Sequence, residues 1–275
     1  MVQVPWCKSG GASREAPMKH DTYDLLGRIA VAGKLKDAEP HLVAMSVHEF
    51  TPQSVLAIVY REGRRPEIGF RWIPDDHLRK TFDTYYCEVG HLLDPFAQRA
   101  RSEQGASAFR LAEIAPDRFE ASDYFANYFQ STGMVDELGA LRRLTPRSVV
   151  HFSIGRNAGY PKFTARDVRR FKQLHVAFMP KLAELMVAKQ ADGDEPQRTP
   201  DLVEIFSRLR TDEGQALSHR EAQVAALITQ GHSSRSIAYN LEISVHTVKV
   251  HRRNLYRKLE ISAQNELFGL IIDAL

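Results

Sequence analysis

Residues Leu217 to Leu259, LSHREAQVAALITQGHSSRSIAYNLEISVHTVKVHRRNLYRKL, divide into three short helices joined by tight turns. Ser218 and Glu221 stand three apart, the spacing at which a hydroxyl and a carboxylate satisfy each other's free backbone amides at a helix start. Val224, Leu227 and Ile228 then supply a buried stripe. Gly231 permits the left-handed backbone that ends this helix, and Ser233 caps a second whose Ile237, Ala238 and Leu241 share a face. Ser244 caps a third, expected over about Val245 to Lys258. That helix carries Lys249, Arg252, Arg253, Arg257 and Lys258 with no acidic residue between them, while Val248, Leu255 and Leu259 point inward.

His246, Lys249, Val250 and Arg253 recur at i, i+3, i+4 and i+7, so a helix lying in the major groove presents them together to base edges. Lys249 and Arg253 donate to guanine acceptors, and Val250 offers an apolar contact to a thymine methyl. Ser244, Thr247, Arg252, Arg257 and Lys258 lie where hydroxyls and charges hold phosphates. A basic helix can also be a merely solvated face. Two capped helices immediately before it favour the DNA reading.

The segment resembles the C-terminal DNA-binding domain of LuxR/NarL-type transcription regulators, in LSHREAQV, the Gly231 turn, SIAYNLEIS and HTVKVHRRNLYRKLEI. The resemblance implies that Lys249, Val250 and Arg253 read bases. A fourth helix is expected from Ser262 to about Leu275, with Leu267, Leu270, Ile271 and Leu275; it fits the family's dimer contact or simple packing under the other three.

The chain has 275 residues, a net charge of +3 and 43% hydrophobic residues, enough for one large and one small domain with real cores. A total charge that small does not itself indicate nucleic acid; the placement of the charge does. Cys7 and Cys87 are far apart and outside any C-x-x-C pair, so neither a disulfide framework nor a zinc site is expected, and a reducing cytoplasm fits. No stretch has signal-peptide character or approaches the roughly 20 apolar residues of a membrane span. The P-loop, G-x-G-x-x-G, H-E-x-x-H and G-x-S-x-G signatures are missing, so no enzyme, metal or cofactor is expected. The acidic constellation of a phospho-acceptor receiver is not visible either.

Residues 1–19 read as a leader without periodicity. Helices follow from about Asp21 to Lys36 and around Pro40 to Phe50. Ser54 to Tyr60 and Glu67 to Trp72 form a hairpin across EGRRP. A helix runs from Pro74-Asp75-Asp76 through LRKTFDTYYCEVGHLL, with a short one after Asp94-Pro95. Ala108 to Ile114 reads as a third strand, Ser122 to Ser131 as an aromatic helix, and Val135 to Leu144 with Val149 to Arg156 as an antiparallel pair. A long helix opens at Thr164, where Asp167 completes a capping box, and Pro180 should kink it. KQADGDEPQRTP is an exposed connection, and Pro200 suits the first position of one more helix, DLVEIFSRLR.

The stretch TFDTYYCEVGHLLDP, Thr81 to Pro95, resembles the ligand-binding domain of quorum-sensing LuxR-type proteins, where a Tyr and an Asp-Pro at this spacing touch an acyl-homoserine lactone. Tyr85 and Asp94 occupy those positions. The family's Trp one turn earlier is Thr81 here, so the lactone itself is not implied, only a GAF-like sensory fold. Asp94 before a proline also fits a helix cap. Trp72, Tyr124 and Tyr128 are further candidates for pocket walls, though each also suits a core. His151 and His175 read as core histidines.

The expectation is therefore an α+β sensory domain over residues 20–188, an antiparallel sheet of about five strands sandwiched by helices. A linker over 189–200 leads to an all-α, four-helix helix-turn-helix domain over 201–275. The chain should be a cytoplasmic homodimer that binds double-stranded DNA under control of a small-molecule effector, or alternatively of a protein partner.

Overall fold

A computed structural model describes residues 21–190, 200–210 and 214–274. The expected leader and residues 191–199 of the expected linker lie outside the described residues. Two helices open the described chain, α1 (Thr22–Val31) and α2 (Leu35–Phe50). Pro40 falls in the second turn of α2, which starts five residues earlier than the sequence suggested.

Five antiparallel strands follow: β1 (Ser54–Arg61), β2 (Glu67–Trp72), β3 (Ala106–Arg110), β4 (Met134–Thr145) and β5 (Ser148–Asn157), in spatial order β2-β1-β5-β4-β3. Between β2 and β3 lie α3 (Asp76–Thr81) and α4 (Pro95–Ser102). The one-turn α5 (Leu111–Ile114) follows β3, and the long α6 (Ala165–Gln190) follows β5. The expected third strand is thus shorter than its sequence suggested. It ends at Arg110, whose N–H donates to Glu113 Oε2 at 3.0 Å and starts α5. At α6 the expected capping box forms: Thr164 N–H donates to Asp167 Oδ2 at 2.8 Å and Asp167 N–H to Thr164 Oγ1 at 3.2 Å.

Strand parity explains why the sheet carries helices on both faces. Val55, Ala57 and Val59 join Phe70, Phe152 and Ile154 in a core with α1, α2 and α6. Their neighbours Leu56, Ile58 and Tyr60 face a second core under α3 and the segments 82–93 and 119–129. Phe152 meets both Phe171 and Phe178 in the first core, with ring centroids 6.5 and 4.8 Å away. Each buried ring there contributes roughly 2–3 kcal/mol.

The C-terminal unit is helical: α7 (Leu202–Arg208), α8 (His219–Thr229), α9 (Ser234–Asn240), α10 (Val245–Lys258) and α11 (Glu266–Ala274). The Ser218–Glu221 box closes in both directions, Ser233 caps α9, and Ser244 caps α10. Gly231 adopts φ 94°, as the turn requires. Pro200 does not open α7; Asp201 caps it, its Oδ1 accepting from Glu204 N–H at 2.8 Å. Leu267 and Ile271 of α11 are fully buried in the core shared with α7 and α8, which is the packing alternative for that helix.

Gly139 on β4 shows how tightly sheet and helices meet: a Cβ there would lie 2.4 Å from the Phe96 ring and 2.7 Å from His151 Nε2. Both neighbours are ring atoms in packed positions. Gly139→Ala is expected to destabilise the chain by about 1–3 kcal/mol, read as an earlier midpoint in urea unfolding.

Candidate functional site

Ser244 Oγ accepts from Thr247 N–H at 3.0 Å, which fixes the start of α10 and aims its first turn outward. His246, Lys249, Arg253 and Arg257 are exposed and Val250 is half-buried, while Val248 and Leu255 are fully buried beneath them. The helix therefore packs along one side and offers the expected reading residues on the other. Arg252 lies with its guanidinium 5.1 Å from the Tyr256 ring centroid, a cation–π contact that holds the charge beside the helix. Lys258 is placed differently from the expectation. Its Nζ donates to the buried Glu221 Oε2 at 2.8 Å, so this cation is engaged within the domain. The spacing signal that found Glu221 as a cap partner did not show that α10 supplies its counter-charge.

The second candidate region is a cavity of about 30 Å³ between the sheet and the segments that cover it. That exceeds the roughly 10–15 Å³ that a single water needs. Asp94, Tyr124 and Tyr128 line it, together with Tyr86, Glu137 and His151.

Asp94 organises the region. Its Oδ1 accepts from Phe96 N–H at 2.8 Å and caps α4, while Oδ2 accepts from the hydroxyls of Tyr60 at 2.8 Å and Tyr86. Cap and cavity contact are thus the same carboxyl. Burial raises its pKa, opposed by these donors. His151 Nδ1 lies 3.0 Å from the Tyr60 hydroxyl, and its ring stacks between Tyr60 and Phe96. Burial lowers the His151 pKa to about 3, so it is neutral; its Nε2 has no partner among the described residues. Glu137, on β4, is raised to about 8, first by burial and then by the Asp94 charge.

Two expected wall residues lie elsewhere. Trp72 pairs in register with Val55 and packs with the first core, on the opposite face of the sheet. Its strand parity, not its size, decides this. Tyr85 does not line the cavity; its ring stacks on Tyr128 at 5.9 Å and meets Phe268 of α11 at 6.2 Å. The cause is a widened turn over Phe82–Tyr86, in which Cys87 N–H donates to Phe82 O, five residues back instead of four. Tyr86, one residue on, lines the cavity in the place that the resemblance implies for Tyr85. Tyr60, Tyr86 and Glu137 were not found from the sequence. Glu137, an acid followed at once by the apolar run Leu138–Leu141 of a central strand, carried a readable signal.

The two units touch. Arg118 N–H donates to Gly231 O and Ser233 N–H to Asp117 Oδ1, each at 2.9 Å.

With this geometry in view, the family described as bacterial regulatory proteins, luxR family, matches residues 215–270. The C-terminal unit is a LuxR-family DNA-binding domain. The chain thus contains a DNA-binding domain of that family. It is 26% identical over 186 residues to a protein of Aeromonas salmonicida described as an HTH-type transcriptional regulator in the exeN 3′ region, covering 66% of this chain and 94% of that one. It is 40% identical over 92 residues to the transcriptional regulatory protein FixJ of Rhizobium meliloti, a match that spans 34% of this chain and 40% of FixJ. The solved LBD domain of VqsR from Pseudomonas aeruginosa superposes with a TM-score of 0.50 at 22% identity, over 59% of this chain and 96% of that one. That likeness is one of fold. Among the described residues no helix is long and apolar enough to cross a membrane.

Glu137 holds its proton more tightly folded, near 8, than at its ordinary 4.5. The stability it contributes is complete below the ordinary value and is lost as pH rises through the folded one. Glu137→Gln, which keeps the shape and never ionises, is expected to raise the melting temperature at pH 8.5 relative to the native chain. The difference should shrink toward pH 5; thermal unfolding at both pH values checks it.

Proposed function

We infer that residues 20–188 form a sensory domain for a small molecule, joined by a linker over 189–200 to a DNA-binding domain over 201–275. On this reading the chain works in the cytoplasm as a homodimer, with two α10 helices entering successive major grooves about 34 Å apart. The observation that carries the sensing half is the cavity at Asp94, walled by Tyr86, Tyr124 and Tyr128. Few polar groups placed among aromatic walls are the usual make-up of a small-molecule site. The Tyr85 ring supports a link between the halves, since it stacks on the wall residue Tyr128 and meets Phe268 of the DNA-binding unit.

A second reading is control by a protein partner with no small-molecule ligand. The small volume of the cavity, about 30 Å³, favours it. Mass spectrometry of the purified full chain, under native and then denaturing conditions, separates the two. Extra mass on a dimer, lost on denaturation, supports the sensor; a bare dimer that also fails to bind any small molecule in a thermal-shift screen supports the partner.

For DNA, the exposed Lys249 and Arg253 are assigned base contacts, and Arg252 and Arg257 phosphate contacts. Arg253→Ala should cost about 1–3 kcal/mol on the specific site and little on random DNA, whereas Arg257→Ala should weaken both alike. Equal losses for Arg253→Ala on the two DNAs would reject the assignment. Because Lys258 pairs with Glu221, Lys258→Ala should lower the melting temperature of the chain as well as its affinity, which circular dichroism and gel-shift titration measure side by side.

A further inference from the structure

We propose that the cleft between the β1–β2 turn, the end of α4, the β4–β5 turn and the start of α7 binds a small phosphate monoester carrying a free hydroxyl, a sugar phosphate being the simplest form. The cleft is separate from the Asp94 cavity, and the proposal stands whichever reading of that cavity holds.

Its volume is about 430 Å³, against about 30 Å³ at Asp94, and lies in the ordinary range of small-molecule sites. Five guanidinium side chains line it: Arg61 and Arg64 at the β1–β2 turn, Arg101 at the end of α4, and Arg143 and Arg147 on either side of the β4–β5 turn. Three carboxyl side chains share the lining, Glu62, Asp201 and Glu204. The two from α7 serve their own helix: Asp201 Oδ1 accepts from Glu204 N–H at 2.8 Å, and Glu204 accepts from Arg208. Arg61 pairs with Glu67 at 3.1 Å, whereas Arg101, Arg143 and Arg147 pair with no carboxylate among the described residues.

The frame that carries these charges is tied together from three elements. Arg143 reaches from β4 to the end of α4, its Nε donating to Glu103 O at 2.7 Å and its Nη2 to Ala100 O at 3.2 Å, while Nη1 donates to Pro146 O at 3.2 Å. Glu62 N–H donates to Arg147 O at 3.1 Å and joins the two turns. Arg143 is therefore a fixed charge whose donors are spent on carbonyls. Arg101 and Arg147 are exposed, and their guanidiniums make no hydrogen bond among the described residues. Forked N–H donors arriving from separate elements suit the several oxygens of a tetrahedral phosphate.

His91 is the independent observation, and it specifies the hydroxyl. It lines the cleft, is 6% exposed, and has its Nε2 buried with no hydrogen-bond partner. Its Nδ1 lies 3.2 Å from Tyr86 O. A carbonyl only accepts, so Nδ1 carries the proton and Nε2 presents its lone pair. Burial lowers the His91 pKa to about 4, the bond to Tyr86 O opposing this and the Arg65 and Arg101 charges adding to it, so the ring is neutral. An acceptor at the floor beneath cationic donors calls for a ligand with an anionic group and a donor of its own. A bare anion would serve the guanidiniums and leave Nε2 unpartnered; a hydroxylated phosphate serves both.

The test titrates the full chain at pH 8, where phosphate monoesters are largely dianions, with glycerol phosphate, methyl phosphate, sodium sulfate at equal ionic strength, and glycerol. Calorimetric binding and melting temperature are the readouts. Saturable binding of glycerol phosphate is expected, about fivefold tighter than methyl phosphate, which lacks the hydroxyl, with no binding of glycerol. The exposed pair Arg101→Gln and Arg147→Gln together should leave the melting temperature of the free chain unchanged and weaken glycerol phosphate by about tenfold or more. Should that double variant fail to fold, Arg147→Gln alone, in an exposed turn, takes its place. The ¹⁵N resonance of His91 Nε2 should move further with glycerol phosphate than with methyl phosphate. Equal affinity for glycerol phosphate and methyl phosphate overturns the role of the hydroxyl, and equal affinity for sulfate leaves only an unspecific anion site. Unchanged affinity in the Arg variants overturns the placement. Variants that lose affinity for all DNA, with glycerol phosphate binding unaltered, overturn the proposal in favour of a DNA phosphate contact. Absence of saturable binding overturns it outright.

Discussion

The carboxyl of Asp94 ties together three parts of the chain that also pack on one another. One oxygen caps α4; the other takes hydroxyls from Tyr60 on β1 and Tyr86 in the widened turn. Sheet, turn and helix meet at a single buried carboxyl, to which no Lys or Arg is paired among the described residues. Three donors offset the desolvation that such burial costs, which is why the group is tolerated there. Two consequences follow from how those donors are used. The Tyr60 hydroxyl is shared among Asp94, Tyr86 and His151, so one proton serves three neighbours. The Asp94 charge also acts on Glu137, which therefore keeps its proton to a higher pH than burial alone would require.

The DNA-binding unit depends on a different kind of interaction, one confined to neighbours in sequence. Ser218 with Glu221, Ser233 with Ser236 and Ser244 with Thr247 are all pairs three residues apart. Such caps can be read directly from the chain, and the helices start where the caps place them. The ion pair of Lys258 is the exception that fits the rule, because its partner Glu221 lies 37 residues away. The hairpin, the β4–β5 pair and the Thr164 capping box were legible for the same reason of locality.

The cavity was less legible because its members meet only through strand register and one irregular turn. Ile58 pairs with His151 across β1 and β5, and Glu137 with Gly155 across β4 and β5, contacts that no local pattern specifies. Asp94, Tyr124 and Tyr128 were reachable as an acid before proline and as clustered aromatics. Tyr85 was displaced by a single residue, since helical spacing assumes the hydrogen-bond ladder that the Phe82–Tyr86 turn breaks. Trp72 was chosen for its size, while its alternation with Phe70 already placed it on the other face. Parity was the better guide.

The contact between the two units combines polar, aromatic and apolar elements. Two backbone-donated hydrogen bonds, to Gly231 O and Asp117 Oδ1, and the meeting of Tyr85 with Phe268 are its clearest elements. At about 1 kcal/mol net for each hydrogen bond and a similar amount for the ring pair, these three elements contribute roughly 2–4 kcal/mol, beside the apolar packing of the cluster that both units share. Tyr128 is both a wall of the cavity and the stacking partner of Tyr85. A ligand that favours one position of the Tyr128 ring therefore acts directly on a partner of the ring that meets α11.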